Sequence, residues 1–342
     1  MVQFSYENEV NFMDNYIPPF TITNAMTQLV GDIMKKIGQL DNYKDLNKMP
    51  ILRRNNRIRS IHSSLAIEAN SLSLNQVKDI INGKLVIGPQ KEIQEVKNAY
   101  RAYEMIGKIN PYSIDDLKKV HGIMTYLTVP ESGDFRKGDE SVFDGDKCIF
   151  IAPNPAMIGT LMEQLFIWLK NNENKIHPLI LSSVFHYEFV FIHPFSDGNG
   201  RMVRLWQNAI LAKWEKIFEY VPIETAIKEY QEDYYKIVQN CNLSGESTEF
   251  VEFMLKMINE VLNKLIESTQ KTSNYISIYI NKLLDVMEDN IPMTMAELME
   301  KVGLKSKKSF RQNYLKPAIE NGLIKMTEPE NPTSRNQRYY KI

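Results

Sequence analysis

Residues 193–204 read HPFSDGNGRMVR and gather a base, a hard carboxylate, a glycine-rich turn and two arginines within one short stretch. His193 carries the one side chain here whose ordinary pKa lets it accept a proton near neutrality. Gly198, Asn199 and Gly200 form a turn that opens onto a helical pattern, and unpaired N–H groups at a helix start, with the positive end of the helix dipole, make an anion pocket. Asp197, just before that turn, is a hard oxygen ligand suited to Mg²⁺ held against phosphate oxygens. Arg201 and Arg204, three apart, share one helix face, so both guanidiniums can fork onto phosphates of one ligand. The chemistry that needs all of these together is phosphoryl or nucleotidyl transfer with a resident base. A simple turn would explain the Asp-Gly and Asn-Gly pairs, but it requires neither the two spaced arginines nor the histidine. A metal site of His186, His193 and Asp197 is disfavoured, because His186 lies in a segment, 178–192, that is apolar almost all round and reads as a buried helix. His62, His121 and His177 have no companion at ligand spacing and read as structural.

The run resembles, at every fixed position, the signature HPFx[D/E]GNGRxxR of the Fic family. Weaker correspondences extend the resemblance from about Glu68 to Glu267. It implies transfer of AMP from ATP to a Ser, Thr or Tyr hydroxyl of a target protein, with release of pyrophosphate. His193 would then be the base and Asp197 the Mg²⁺ ligand. Gly198, Asn199 and Gly200 would form the anion hole, with Arg201 and Arg204 on the triphosphate. The segment Ser64-Leu-Ala-Ile-Glu68 resembles the family's inhibitory motif [S/T]xxxE[G/N], in which the glutamate pairs with the second arginine, here Arg204, and blocks productive placement of the γ-phosphate. The match departs at the last position, where Ala69 stands for Gly or Asn and Asn70 follows. Family likeness also places adenine near Tyr230. Relatives that transfer phosphate, UMP or phosphocholine share the pocket, and some use the same glutamate to remove AMP, so another donor and AMP removal remain open.

The 342 residues exceed a typical single core of ~100–200, which implies two or three domains. Hydrophobic content of 43% and charged content of 24% are those of a globular protein rather than a disordered one. A formal charge of −1 excludes a surface that binds nucleic acid as a whole, so any such contact is local. The two cysteines, Cys148 and Cys241, make no disulfide framework or zinc pattern and fit a reducing compartment. The start, MVQFSYENEV, lacks the marks of a signal peptide, and no apolar run reaches about 18 residues. The expectation is a cytoplasmic protein with no membrane partner, either monomeric or oligomeric.

Apolar residues at helical spacing predict an all-α fold with a few short strands. Helices are expected over 24–39, 51–68, 91–109, 227–238 and 249–267, with capping signatures at Ser73–Gln76 and Ser113–Asp116. Between Gly133 and Pro155 the helical pattern fails, and two apolar stretches flank the turn Asp144–Lys147, which reads as a β-hairpin. In the Fic family such a hairpin, the flap, aligns the target backbone by strand addition. A polar linker is expected at 268–274. Beyond it, helices over 276–287, 294–302 and 307–321 and strands over 323–326 and 337–341, joined by TEPENPTSRN, read as a winged helix. The segment from Ser273 onward holds eight Lys and three Arg against eight acids, a balance of +3, with Lys305, Lys307, Lys308 and Arg311 at the recognition helix. DNA or protein contact through 274–342 is therefore expected. The domains read as an N-terminal helical region with the inhibitory helix (1–110), a catalytic domain (111–267) and a winged helix (274–342). The contrasting reading is a non-enzymatic regulator, with the winged helix on DNA and the core sensing nucleotide.

Overall fold

The computed structural model describes residues 16–42, 50–144, 147–288, 291–320 and 322–341. The opening residues and the centre of the expected hairpin turn, Gly145-Asp146, lie outside them. The chain divides into two compact units, Met1–Asn263 and Lys264–Ile342. It is mostly helical, as the apolar spacing predicts.

The first unit runs α1 (Asn24–Asn42), α2 (Pro50–Ile67), α3 (Leu74–Ile81), α4 (Gln90–Tyr103), α5 (Ile114–Met124), the hairpin β1 (Ser141–Asp144) and β2 (Lys147–Ile151), then α6 (Ile158–Asn171), α7 (Pro178–Ile192), α8 (Asn199–Trp214), α9 (Ile223–Glu229), α10 (Gln231–Ser244) and α11 (Thr248–Val286), the last of which continues past the unit boundary. Both capping signatures are present. Ser73 and Gln76 close a reciprocal capping box on α3, and Ser113 Oγ accepts from the Asp116 N–H at the start of α5.

The α7–α8 pair carries the centre of this unit. Pro178 begins α7 at a position where no N–H is needed, and nearly every residue of the helix is buried. Its serines do not stay unpaired in that environment: Ser182 and Ser183 both donate to the Leu179 carbonyl. Phe185, Phe189 and Trp206 are fully buried, each worth about 1.5–3 kcal/mol relative to exposure. The Trp206 indole N–H donates to the Pro111 carbonyl and so joins α8 to the chain entering α5.

Several elements differ from the sequence pattern. The helix expected over 91–109 ends at Tyr103, and residues 104–109 continue as turns. Ile106 and Ile109 are buried there, which keeps the apolar spacing going past the helix end. The helix expected over 227–238 is broken at Tyr230, whose backbone leaves the helical region at φ −107, ψ 37. Residues 268–274, expected as a linker, are helical within α11. Ser268 and Thr269 return their hydroxyls to the Leu265 carbonyl, which satisfies polar side chains inside a helix.

The second unit adds β3 (Met293–Thr294), α12 (Met295–Val302), α13 (Lys307–Phe310), a wide π turn (Arg311–Leu315), α14 (Lys316–Glu320), β4 (Ile324–Met326) and β5 (Arg338–Lys341). Its antiparallel sheet has the order β3-β5-β4, so a third strand, β3, joins the expected pair. This succession of helix, strand, two helical stretches and two strands follows the order expected for this segment, with β3 added. Leu283, Leu298, Phe310, Leu315 and Ile324 form its core. The helix expected over 307–321 is interrupted by the π turn just before Pro317, where a wider turn accommodates a ring that would press on the carbonyl four residues back.

Glu188 of α7 is a buried carboxylate that accepts from the Tyr16 hydroxyl. Burial raises its pKa to about 7, against the opposing effect of the Tyr16 bond. The folded state therefore binds a proton that the unfolded chain releases above about 4.5, and the cost of burying the charge is full above pH 7 and relieved as pH falls. Glu188→Gln, which cannot titrate, should be the more stable form at pH 8. That advantage should shrink by about 1.4 kcal/mol per pH unit between 7 and 4.5, as read by urea unfolding of both proteins. A difference independent of pH would show that Glu188 is ionised throughout.

Candidate active site

Two left-handed residues shape the loop between α7 and α8. His193 ends α7 at φ 51, ψ 60, and Gly198 starts α8 at φ 86, ψ 5. A Cβ on Gly198 would lie 3.1 Å from Thr125 Cγ2, so close packing as well as backbone conformation favours glycine there. Asn199 closes the loop on itself: its Oδ1 accepts from the Phe195 N–H and its Nδ2 donates to the Phe195 carbonyl. Its side chain is thereby committed to the loop, leaving only its backbone for an anion. His121 of α5 stacks on Phe195 at 3.7 Å between centroids, and its Nδ1 accepts from the Gly133 N–H. The other nitrogen, Nε2, must then carry the hydrogen and donate to the Asp197 carbonyl at 3.0 Å. Burial lowers the His121 pKa to about 4 and keeps that tautomer neutral.

Both arginines are buried to 3% exposure and both are paired. Arg201 Nη2 meets Asp197 Oδ1 at 2.7 Å and Nη1 meets Glu95 Oε1 of α4 at 3.4 Å, while its Nε is a buried donor with no partner among the described residues. Glu95 also accepts from Asn70 Nδ2, so the segment after α2 and the first arginine share one carboxylate. Arg204 donates from Nε to Ser64 Oγ and from Nη2 to the Ser64 carbonyl and to Glu68 Oε1, the last at 2.7 Å. Burial works against the Arg204 charge, but the Glu68 carboxylate together with Tyr234 and Tyr103 outweighs it and the guanidinium pKa rises. Glu68 reaches the N-terminus of α8: a Cβ built on Gly200 would stand 2.2 Å from Glu68 Oε1. Its N-cap, Gly198, has no side chain with which to cap that helix start. A carboxylate thus already lies where an anion over the α8 amides would sit.

His193 is held at the edge of this pocket. Burial lowers its pKa, and although the Val190 carbonyl accepts from a ring N–H, the nearby Arg136 cation pushes further down. The imidazole is neutral near pH 7 with one nitrogen free to accept a proton. Asp197 is an accessible acid of the group, its side chain 41% exposed. An accessible carboxylate, even with one oxygen on Arg201, suits Mg²⁺ that arrives with phosphate oxygens. Among the described residues no three His, Cys, Asp or Glu side chains cluster in a way that would hold a metal by themselves. His186 is bound between Gln207 and Tyr234, and burial lowers its pKa to about 3, as suits a packing histidine.

The structure therefore brings together Ser64, Glu68, His193, Asp197, Gly198, Asn199, Gly200, Arg201 and Arg204. Tyr230 stands at the junction of α9 and α10, where residues 228–233 and Tyr235 line a cavity of about 480 Å³. Its neighbours hold the end of α2: Lys228 Nζ donates to the Ala66 carbonyl and Gln231 Nε2 to that of Ile67. Sequence reasoning missed Lys228, Gln231, Glu95, His121 and Arg136. None lies in a recognisable local pattern, and each acts on a segment distant along the chain. Only the isolated His121, which matched no ligand spacing, offered a signal.

Two families match by sequence: the Fic/DOC family over residues 111–211, and the C-terminal domain of the Filamentation induced by cAMP protein Fic-like family over 279–341. A Fic family protein from Desulfovibrio desulfuricans G20, known from its crystal structure, is 40% identical, with a TM-score of 0.72 over 96% of this chain and 98% of that one. Fic-1 (aa134–508) from C. elegans, 23% identical with a TM-score of 0.60, covers 72% of this chain and 73% of its own and shares the fold. Protein adenylyltransferase Fic of Aedes aegypti is 26% identical over 245 residues, and that of Culex quinquefasciatus 28% over 230. The chain spans about half the length of these curated relatives, 46% and 44% respectively. No helix among the described residues is long and apolar enough to cross a membrane. With the 40% identity to the Desulfovibrio protein extending over nearly the whole of both chains, this chain belongs to the Fic family.

Proposed function

We propose that the chain is a protein adenylyltransferase restrained by its own Glu68. The observation that carries this reading is the Glu68 carboxylate against Gly200 and on Arg204, an acid lodged in a pocket whose amides and buried guanidiniums suit a triphosphate. ATP would lay its phosphates over the amides of Gly198 to Gly200, with Arg201 and Arg204 on their oxygens and Tyr230 near the base. Asp197 would hold Mg²⁺, whose charge offsets that of the phosphate oxygens when it is bound. An acceptor Ser, Thr or Tyr would be presented along the hairpin edge of β1 and β2 by strand addition. Its hydroxyl oxygen attacks the α-phosphorus, the bond to the bridging oxygen breaks, pyrophosphate leaves and the hydroxyl proton passes to His193. Preorganised donors and the positioned base supply the rate enhancement. The names of the adenylyltransferase relatives support AMP as the transferred group.

A phosphate group placed on Arg204 must displace Glu68, since both need the same donors. Glu68→Gly should therefore raise auto-modification with labelled ATP and Mg²⁺ by about tenfold or more, because a charge-assisted hydrogen bond competes at about 1.5–3 kcal/mol. An unchanged rate would discard the restraint. In that background His193→Ala should cut AMP transfer by about 100-fold or more while calorimetry still detects nucleotide binding, and undiminished transfer would remove His193 as the base.

The second unit supports a separate DNA-binding reading. Lys305, Lys307, Lys308 and Arg311 are exposed on and just before its central helical stretch, and among the described residues none forms an ion pair. Fluorescence anisotropy with a labelled duplex should show binding that weakens with salt, and replacing Lys307 or Lys308 by Ala should reduce the log–log slope by about 1 each. No binding at low salt would leave this unit as a protein-contact or packing module.

A further inference from the structure

Arg136 stands between the α5 end and the hairpin, and its side chain is 2% exposed. Its guanidinium meets three carbonyls from three different places: Nε donates to His193 at 2.7 Å, Nη1 to Gly138 at 2.7 Å and Nη2 to Pro153 at 2.6 Å. Its backbone N–H adds a fourth bond, to the Pro194 carbonyl at 2.9 Å. Gly138 and Pro153 flank the hairpin, just before β1 and just after β2, where the Ala152 N–H also bonds the Glu140 carbonyl. One rigid planar cation thus ties the open end of the hairpin to the residue that carries the imidazole. It does so at the strained left-handed backbone of His193.

We propose that Arg136 is a positioning residue that sets the separation between the hairpin edge and the His193 imidazole, governing transfer to the acceptor while leaving nucleotide binding alone. The inference rests on the adenylyltransferase reading. It follows from which atoms the guanidinium holds: none of its three carbonyls belongs to the α8 amides, to Arg201 or to Arg204, which would grip the phosphates. A lysine could not substitute, because a compact ammonium lacks the planar fork that spans three separate carbonyls. A residue of purely structural importance would affect binding, stability and transfer together.

The test uses the full chain in the Glu68→Gly background with Arg136→Lys and Arg136→Ala. Calorimetry with Mg²⁺ and ATP should give the parent affinity in both variants, whereas labelled AMP incorporation should fall by about 100-fold, the order expected of an ångström-scale misplacement. Millimolar guanidinium should restore part of the transfer in Arg136→Ala and none in Arg136→Lys. Amide hydrogen exchange should quicken in the hairpin and at His193 and Phe195 but not at the start of α8, a readout that needs no activity. Parent-like transfer, loss of nucleotide affinity in step with transfer, or unchanged exchange in the hairpin would each overturn the proposal. A parent that binds nucleotide and transfers nothing, with hairpin exchange still responding to Arg136, would instead sink the adenylyltransferase reading.

Discussion

A guanidinium removed from water needs an anion, and Arg204 at 3% exposure is the point where this fold meets that demand. Leaving such a charge unpaired costs several kcal/mol, so a negative partner belongs to the folded state. Here Glu68 supplies it, together with the Ser64 hydroxyl and carbonyl. The arrangement has a consequence for the proposed reaction. On the proposed reading nucleotide would not fill an empty site but replace one anion by another, and its effective affinity would be reduced by whatever holds Glu68 in place. The hold extends beyond the ion pair, since Lys228 and Gln231 grip the last carbonyls of α2, where a cation also complements the helix dipole.

The catalytic loop is fixed from three sides at once. Asn199 binds it internally to Phe195, His121 grips the Asp197 carbonyl from α5, and Arg136 grips His193 from the hairpin side. Such redundancy lets a non-glycine residue, His193, persist in a left-handed conformation that would otherwise relax. It also separates two tasks. The donors for an anion sit at the start of a well-packed helix, while the proposed base hangs on a backbone whose position the hairpin shares.

Much of the site was legible because its residues are contiguous: the His193 to Arg204 loop and the Ser64–Glu68 spacing both lie within single stretches. The hairpin and the two capping signatures were legible for the same reason, each being a local pattern with a local cause. What escaped was set by distant contacts. Tyr230 interrupts a helical pattern where Lys228 and Gln231 turn towards α2, and no local signal announces that. The linker at 268–274 read as loop because its residues are polar, yet two of its hydroxyls bond back to the helix and the segment is helical within α11. Glu95, which joins Asn70 to Arg201, looks in sequence like any other helix acid.

The departure of the inhibitory motif at Ala69 acquires a physical meaning from the backbone. Ala69 adopts φ 61, the left-handed region in which glycine and asparagine are at ease and alanine carries a strain of about 1–2 kcal/mol. The motif's Gly or Asn therefore marks a conformation rather than a contact. In this chain the conformation is kept with alanine, and the compensation lies next door: Asn70 donates to the Glu92 carbonyl and to Glu95, and the Ser71 N–H and hydroxyl both reach the Glu92 carboxylate. The turn after α2 is thus strained at one residue and bound at the next two. Because the strain is relieved if the turn opens while the bonds are lost, the two oppose each other within a few kcal/mol. Glu68 lies one residue before this turn, so the strain at Ala69 and the bonds to the α4 carboxylates both act on the segment that carries it.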